Sequence, residues 1–163
     1  MEFLSWLQDS SIAIWVAESE SLWAYPTILA LHTFGLAFLV GANVVIDFRL
    51  LGLSPNTPLG PLKKLFPTMW VGLAINTVTG LLLFVASARV KAVLIMFHIK
   101  LLCVALAIIA LVRIRRVVFD AAATSASAVP DGAGRLAVLS LVLWTGAIVA
   151  GRLMAYVKWS VGG

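Results

Sequence analysis

The sequence predicts an all-α integral membrane protein: an antiparallel four-helix bundle preceded by an amphipathic helix lying in the membrane interface, all one domain over residues 1–163. Three observations predict it. The chain is 62% hydrophobic and only 12% charged, with a mean hydropathy of +1.06, whereas soluble domains are about 45–50% apolar and about 25% charged. Four long runs are almost free of charge. The basic residues gather in the loops of one side. This composition excludes a soluble enzyme, a disordered chain and a conventional nucleic-acid binder, and the net charge of +5 reflects basic loops on a hydrophobic protein. The single cysteine, Cys103, excludes a disulfide scaffold, a CxxC redox pair and the CxxCH site of covalently attached haem.

The spans follow from the charge-free runs. Residues 22–46 and 65–88 hold no Asp, Glu, Lys or Arg; 92–112 is interrupted only by Lys100, and 136–157 only by Arg152. A helix needs about 20 apolar residues to cross about 30 Å of hydrocarbon, and spanning backbone must satisfy its own hydrogen bonds. Helices are therefore expected near 22–49, 65–87, 91–116 and 135–159. Pro55, Pro58 and Pro61 separate the first from the second, and 87–91 reads as a tight turn. The low-complexity stretch 121–128 reads as a flexible loop. Short links favour antiparallel neighbours.

The first twenty residues differ. They carry Glu2, Asp9, Glu18 and Glu20 without a Lys or Arg, so the basic start of a signal peptide is missing. Phe3, Leu7 and Ile14 fall near one helical face with Trp6 and Trp15 nearby, which predicts an interfacial helix within 2–17. Arg49, Lys63 and Lys64 in the first loop and Arg113, Arg115, Arg116 and Arg135 in the third mark the inner side. Arg89, Lys91 and Lys158 on the other side are offset by the four acids. By the positive-inside rule both termini lie outside, periplasmic in a bacterial inner membrane.

Ionisable residues inside spans are costly and become functional candidates by default. There are four: His32, His98, Lys100 and Arg152. His32 lies nine residues beyond Trp23, His98 seven beyond Lys91, and Arg152 seven before Trp159. At 1.5 Å per residue these are depths of about 13, 10 and 10 Å from the outer side. Two neutral imidazoles facing each other across a bundle can ligate a haem iron, and a guanidinium can pair with a propionate. This reading makes His32 and His98 axial ligands of a non-covalent haem b. Arg152 becomes the propionate clamp, with Tyr156, four residues on and on the same face, bonding the same carboxylate or its neighbour. The alternative is that each histidine bonds a neighbouring helix and Arg152 snorkels to the interface. Lys100, about 200° around the helix from His98, is open to a functional or a packing role. Gly72, Asn76 and Gly80 at four-residue spacing read as a helix-packing seam. Asp47 and Arg49, at the inner end of the first helix, read as a local pair or as partners of loop cations.

Segments of the chain resemble an uncharacterised family of small four-helix bacterial membrane proteins. They include Ser21-Leu22-Trp23 through Pro26, Leu31-His32-Thr33-Phe34-Gly35, Gly41 and Asp47-Phe48-Arg49-Leu50-Leu51-Gly52. Thr79 to Phe84 and Gly151-Arg152-Leu153-Met154-Ala155-Tyr156 extend the likeness over almost the whole chain. More loosely, His32, Gly41, Arg49-Leu50, Pro67 and His98-Ile99-Lys100-Leu101 are similar to the pattern of HemJ-type protoporphyrinogen oxidases. That likeness implies a membrane haem b protein with His32 as a haem ligand and Lys100 functionally important.

Three functions are then in view. One is a haem b protein passing electrons between quinone or a periplasmic redox partner and another protein. The second is a membrane oxidoreductase of a porphyrinogen or quinol. The third is a non-redox anchor or assembly subunit. The lipid membrane is the expected partner, nucleic acid is not expected, and a homo-oligomer stays open.

Overall fold

A computed structural model describes residues 2–120 and 129–161, with side chains up to Tyr156 apart from that of residue 155. The described residues form helices and connections, with no strand among them. In chain order the helices are α1 (Glu2–Gln8), α2 (Ser11–Glu18), α3 (Tyr25–Leu50), α4 (Leu59–Leu62), α5 (Leu65–Val85), α6 (Ala88–Val93), α7 (Ile95–Ile114) and α8 (Ala133–Val161). Four stretches are long and apolar enough to cross a membrane: Tyr25–Leu50, Leu59–Val85, Ile95–Asp120 and Ala133–Met154. The expected stretch 121–128 and the side chains of Lys158 and Trp159 lie outside the described residues.

Local chemistry sets the helix ends. Pro26 sits in the first turn of α3, where its missing N–H would have had no partner anyway. At the other end Gly52 adopts φ 79°. There Gly52 N donates to Arg49 O and Leu53 N to Phe48 O. This is the pairing of a Schellman motif, which needs a residue tolerant of positive φ. Ser10 breaks the N-terminal segment in two. Its Oγ accepts from Ala13 N at 3.3 Å and donates to Leu7 O at 2.8 Å, capping α2. The single helix expected over 2–17 is thus two short ones.

The third span departs furthest from expectation. In place of one helix from 91 to 116, α6 starts at Ala88, where a turn was expected. The chain is extended at Leu94 (φ −77°, ψ 120°), and α7 then runs on into a π-helical turn at Arg115–Asp120. No proline or glycine marks Leu94; its carbonyl is served by Phe97 N and by the His98 imidazole at 3.1 Å.

Contacts give the packing. His32 meets Thr79 while Leu39 meets Gly72, so α3 and α5 run antiparallel. Lys100 lies against Gly151 and Cys103 against Gly146, so α7 and α8 do too. The two pairs join where α3 crosses α8, through Asn43 and Ser140. Gly35 and Gly72 let α3 and α5 touch. A Cβ at Gly72 would lie 2.7 Å from Gly35 O and 2.8 Å from Leu39 N, and small residues of this kind allow close approach of helices in lipid.

Burial is uneven along the helices. Leu39, Ile46, Phe66, Met69, Leu111, Ile114, Val118, Ala137 and Trp144 pack one continuous core in the half that ends at the basic loops. In the other half the cluster is small, with Val16, Ile28, Leu83 and Ala86 at its centre. Phe34, Phe38, Val71, Val78, Leu102, Ile109, Val142 and Val149 point outward. Helices apolar on their outer faces as well are what a lipid environment requires.

Candidate functional site

A cavity of about 430 Å³ occupies the loosely packed half, walled by α3, α5, α6, α7 and α8 and reached by Ala17 of α2. Its polar lining includes His32, Lys91, Lys100 and Arg152; Tyr25, Leu29, Phe84, Phe97 and Met154 supply apolar surface. Phe84 and Phe97 stack, with ring centroids 5.1 Å apart and planes 13° off parallel.

The best-defined side chain is His32. Its Nδ1 lies 3.0 Å from Thr79 Oγ1, and that hydroxyl lies 2.6 Å from Ile75 O and 3.3 Å from Asn76 O. Thr79 has one hydrogen, and only a donor can face a carbonyl. The hydroxyl therefore donates backwards along its own helix and accepts from His32. This network assigns the hydrogen to Nδ1 and leaves Nε2 as a lone-pair nitrogen, with no hydrogen bond among the described residues. Gly80 lies beneath the ring; a Cβ there would sit 3.2 Å from His32 Cε1. Asn76 Nδ2 donates to the carbonyl of His32 at 2.7 Å. The expected seam of Gly72, Asn76 and Gly80 is present, and it seats the histidine as well as packing the helices.

Among the described residues three cations share the cavity. Lys100 runs along α8, its Nζ 3.7 Å from where a Cβ on Gly151 would stand. Lys91 Nζ donates to Leu83 O. Arg152, adjacent to Gly151, lines the cavity from α8 and has no ion pair among the described residues. Among the described residues no carboxylate lines it. An acidic group does meet a cation nearby, where Arg89 pairs with Asp9 at 3.0 Å and its backbone N–H bonds Gln8 Oε1, tying α1 to α6. That pair is on the surface and outside the cavity.

His98 is not brought to His32. Its ring is exposed, Nδ1 donates to Leu94 O, and an edge contact with Phe97 at 5.9 Å holds it. The wide angle between His98 and Lys100 on α7 turns one outward and the other inward, and it is the lysine that enters the cavity. Tyr156 is 64% exposed and does not line the cavity, though it shares α8 with Arg152. Asp47 and Arg49 do not pair. Arg49 Nε donates to Thr57 O at 2.6 Å, and Asp47 turns inward to a buried cluster with Asn43 and Ser140 that sequence reasoning missed. Among the described residues no three His, Cys, Asp or Glu side chains gather as a metal-binding group. Compared with protein-family models, curated proteins and solved structures, the chain matches none.

Proposed function

We propose that the chain is an integral membrane protein of the bacterial inner membrane that binds haem b and transfers electrons. Its four spans would form a bundle with both termini periplasmic. One observation carries the reading: an imidazole with Nδ1 committed to Thr79 and Nε2 left as a lone pair, in a cavity whose charged groups, among the described residues, are all cations. A ligating histidine is usually fixed in this way, its other nitrogen donating to a neighbour. A haem fits the donor set better than a bare metal ion does, because it brings four nitrogens and needs one imidazole. Its two propionates supply the anions that Lys100 and Arg152 otherwise lack, and paired charges are the tolerable ones in lipid.

In this reading His32 holds the iron and Arg152 and Lys100 hold the carboxylates, while Gly80 keeps the space against the ring. Bound haem would supply a one-electron carrier. The likeness to haem-binding four-helix proteins supports the same residue, His32. His98 has no part in the site, and a quinone or periplasmic redox protein remains the fitting electron partner. The test is a reduced-minus-oxidised spectrum and acid–acetone extraction of the purified full chain. A b-type spectrum with fully extractable haem is expected. Protein purified from haem-replete cells without haem would sink the reading and leave an anchor or assembly role. Turnover of a porphyrinogen or quinol by the loaded protein would make it an enzyme instead of a carrier.

A further inference from the structure

The second polar cluster lies at the crossing of α3 and α8, within the packed half and outside the lining of the cavity. Asn43 and Asp47 are one turn apart on α3, as Ser140 and Trp144 are on α8. Asn43, Asp47 and Ser140 are 0% exposed and Trp144 1%. Asn43 Nδ2 spends both hydrogens, one on Asp47 Oδ2 at 2.6 Å and one on Ser140 Oγ at 2.7 Å. Three buried atoms then remain without a partner among the described residues: Asn43 Oδ1, Asp47 Oδ1 and Trp144 Nε1. The amide oxygen of Asn43 only accepts, the Asp47 oxygen only accepts while the carboxyl is ionised, and the indole nitrogen only donates. Leaving such groups unpaired away from water is costly, and in lipid there is no solvent to relieve them.

We propose that Asn43, Asp47 and Trp144 hold a single water molecule at the α3–α8 crossing. It donates its two hydrogens to Asn43 Oδ1 and Asp47 Oδ1 and accepts one from Trp144 Nε1. Water matches this inventory of two acceptors and one donor, and buried waters typically make about three such bonds. A metal cation matches it less well, because an indole N–H can only donate and would turn a positive edge to the ion. The water also has structural weight, because this crossing joins the α3–α5 pair to the α7–α8 pair. Nothing in this proposal depends on haem.

The experiment is a structure of the full chain in lipid at a resolution that shows ordered water, together with ultraviolet resonance Raman spectra of wild type minus Trp144→Phe. One peak within about 2.7–3.2 Å of all three atoms is expected, with the difference spectrum reporting a hydrogen-bonded indole N–H. The melting temperature should not change when sodium replaces choline at constant ionic strength. Absence of a peak, with the three atoms bonded to one another or the indole N–H free, overturns the proposal. So does a peak touched by oxygens alone in a protein whose melting temperature rises with sodium, which would mark a cation site.

Discussion

Substitutions at single side chains separate the roles of the two histidines. His32→Ala removes the one lone-pair imidazole nitrogen in the cavity, so purified protein should lose its haem spectrum. His98→Ala should keep it, because that ring is exposed and bonds only its own helix; a lost or shifted spectrum in that variant would restore His98 as a ligand. Thr79→Val tests the orientation of His32. It keeps the shape of the residue but leaves Nδ1–H without its acceptor, and loss of an outer partner of a ligating histidine typically costs about 10–100-fold in affinity. Haem titration of the apoprotein measures this, and an unchanged affinity would show that Thr79 does not set the ring. Arg152→Leu keeps bulk and removes a cation. The ferric state gains relative to the ferrous one, so the midpoint potential should fall, by up to about 59 mV if about 1.4 kcal/mol of one-electron stabilisation is lost. A normal haem content with an unshifted potential would mean that Arg152 only snorkels.

Among the elements, the α3–α5 contact is the most exacting. A methyl at Gly72 would meet backbone at 2.7 and 2.8 Å, and backbone cannot rotate away as a side chain can. Gly72→Ala should therefore force the helices apart at a cost of about 1–3 kcal/mol, as overpacking does, while Gly41→Ala, with open space around it, should cost nothing. Thermal melting in detergent compares the two; equal stabilities would show that the close approach is not needed. The α5 side of this contact was legible in the sequence, as a seam of Gly72, Asn76 and Gly80 spaced by four, while its partner face on α3 was not. The four long apolar helices were legible too, from the absence of charge. What stayed hidden has a common physical cause. In a soluble helix the polar side announces which face is buried, but a helix in lipid is apolar all round. The angle between His98 and Lys100 could be read, yet not which of them faced inward. Asp47 had an obvious neighbour in Arg49, and its true setting depends on Asn43 and on Ser140, which lies ninety-three residues further along the chain. The break at Leu94 has no proline or glycine to announce it.

At the scale of the whole molecule, tight packing and open volume are divided between the two ends of the bundle. The core from Leu39 to Trp144 sits toward the basic loops, and the cavity sits toward α1, α2 and α6. The ends also differ in charge. Arg49, Lys63, Arg113, Arg115, Arg116 and Arg135 gather at the packed end, where Asp120 meets Lys63 at 3.2 Å and Arg115 at 3.9 Å. The cavity end has the four N-terminal acids, with Arg89 tied to Asp9. An excess of Lys and Arg in short loops favours the cytoplasmic side, and nothing in the packing opposes that orientation. In the orientation proposed above the cavity would open in the periplasmic half, where a periplasmic electron partner could reach it. In a Cys103→Ser background, Asn56→Cys in the loop between α3 and α4 should react with a membrane-impermeant maleimide only after the inner membrane is opened. Trp23→Cys, beside the start of α3, should react in intact spheroplasts. Both positions are exposed, so failure to label reports sidedness and not burial. The reverse pattern would invert the molecule and put the cavity in the cytoplasmic half, where a periplasmic partner could not reach it.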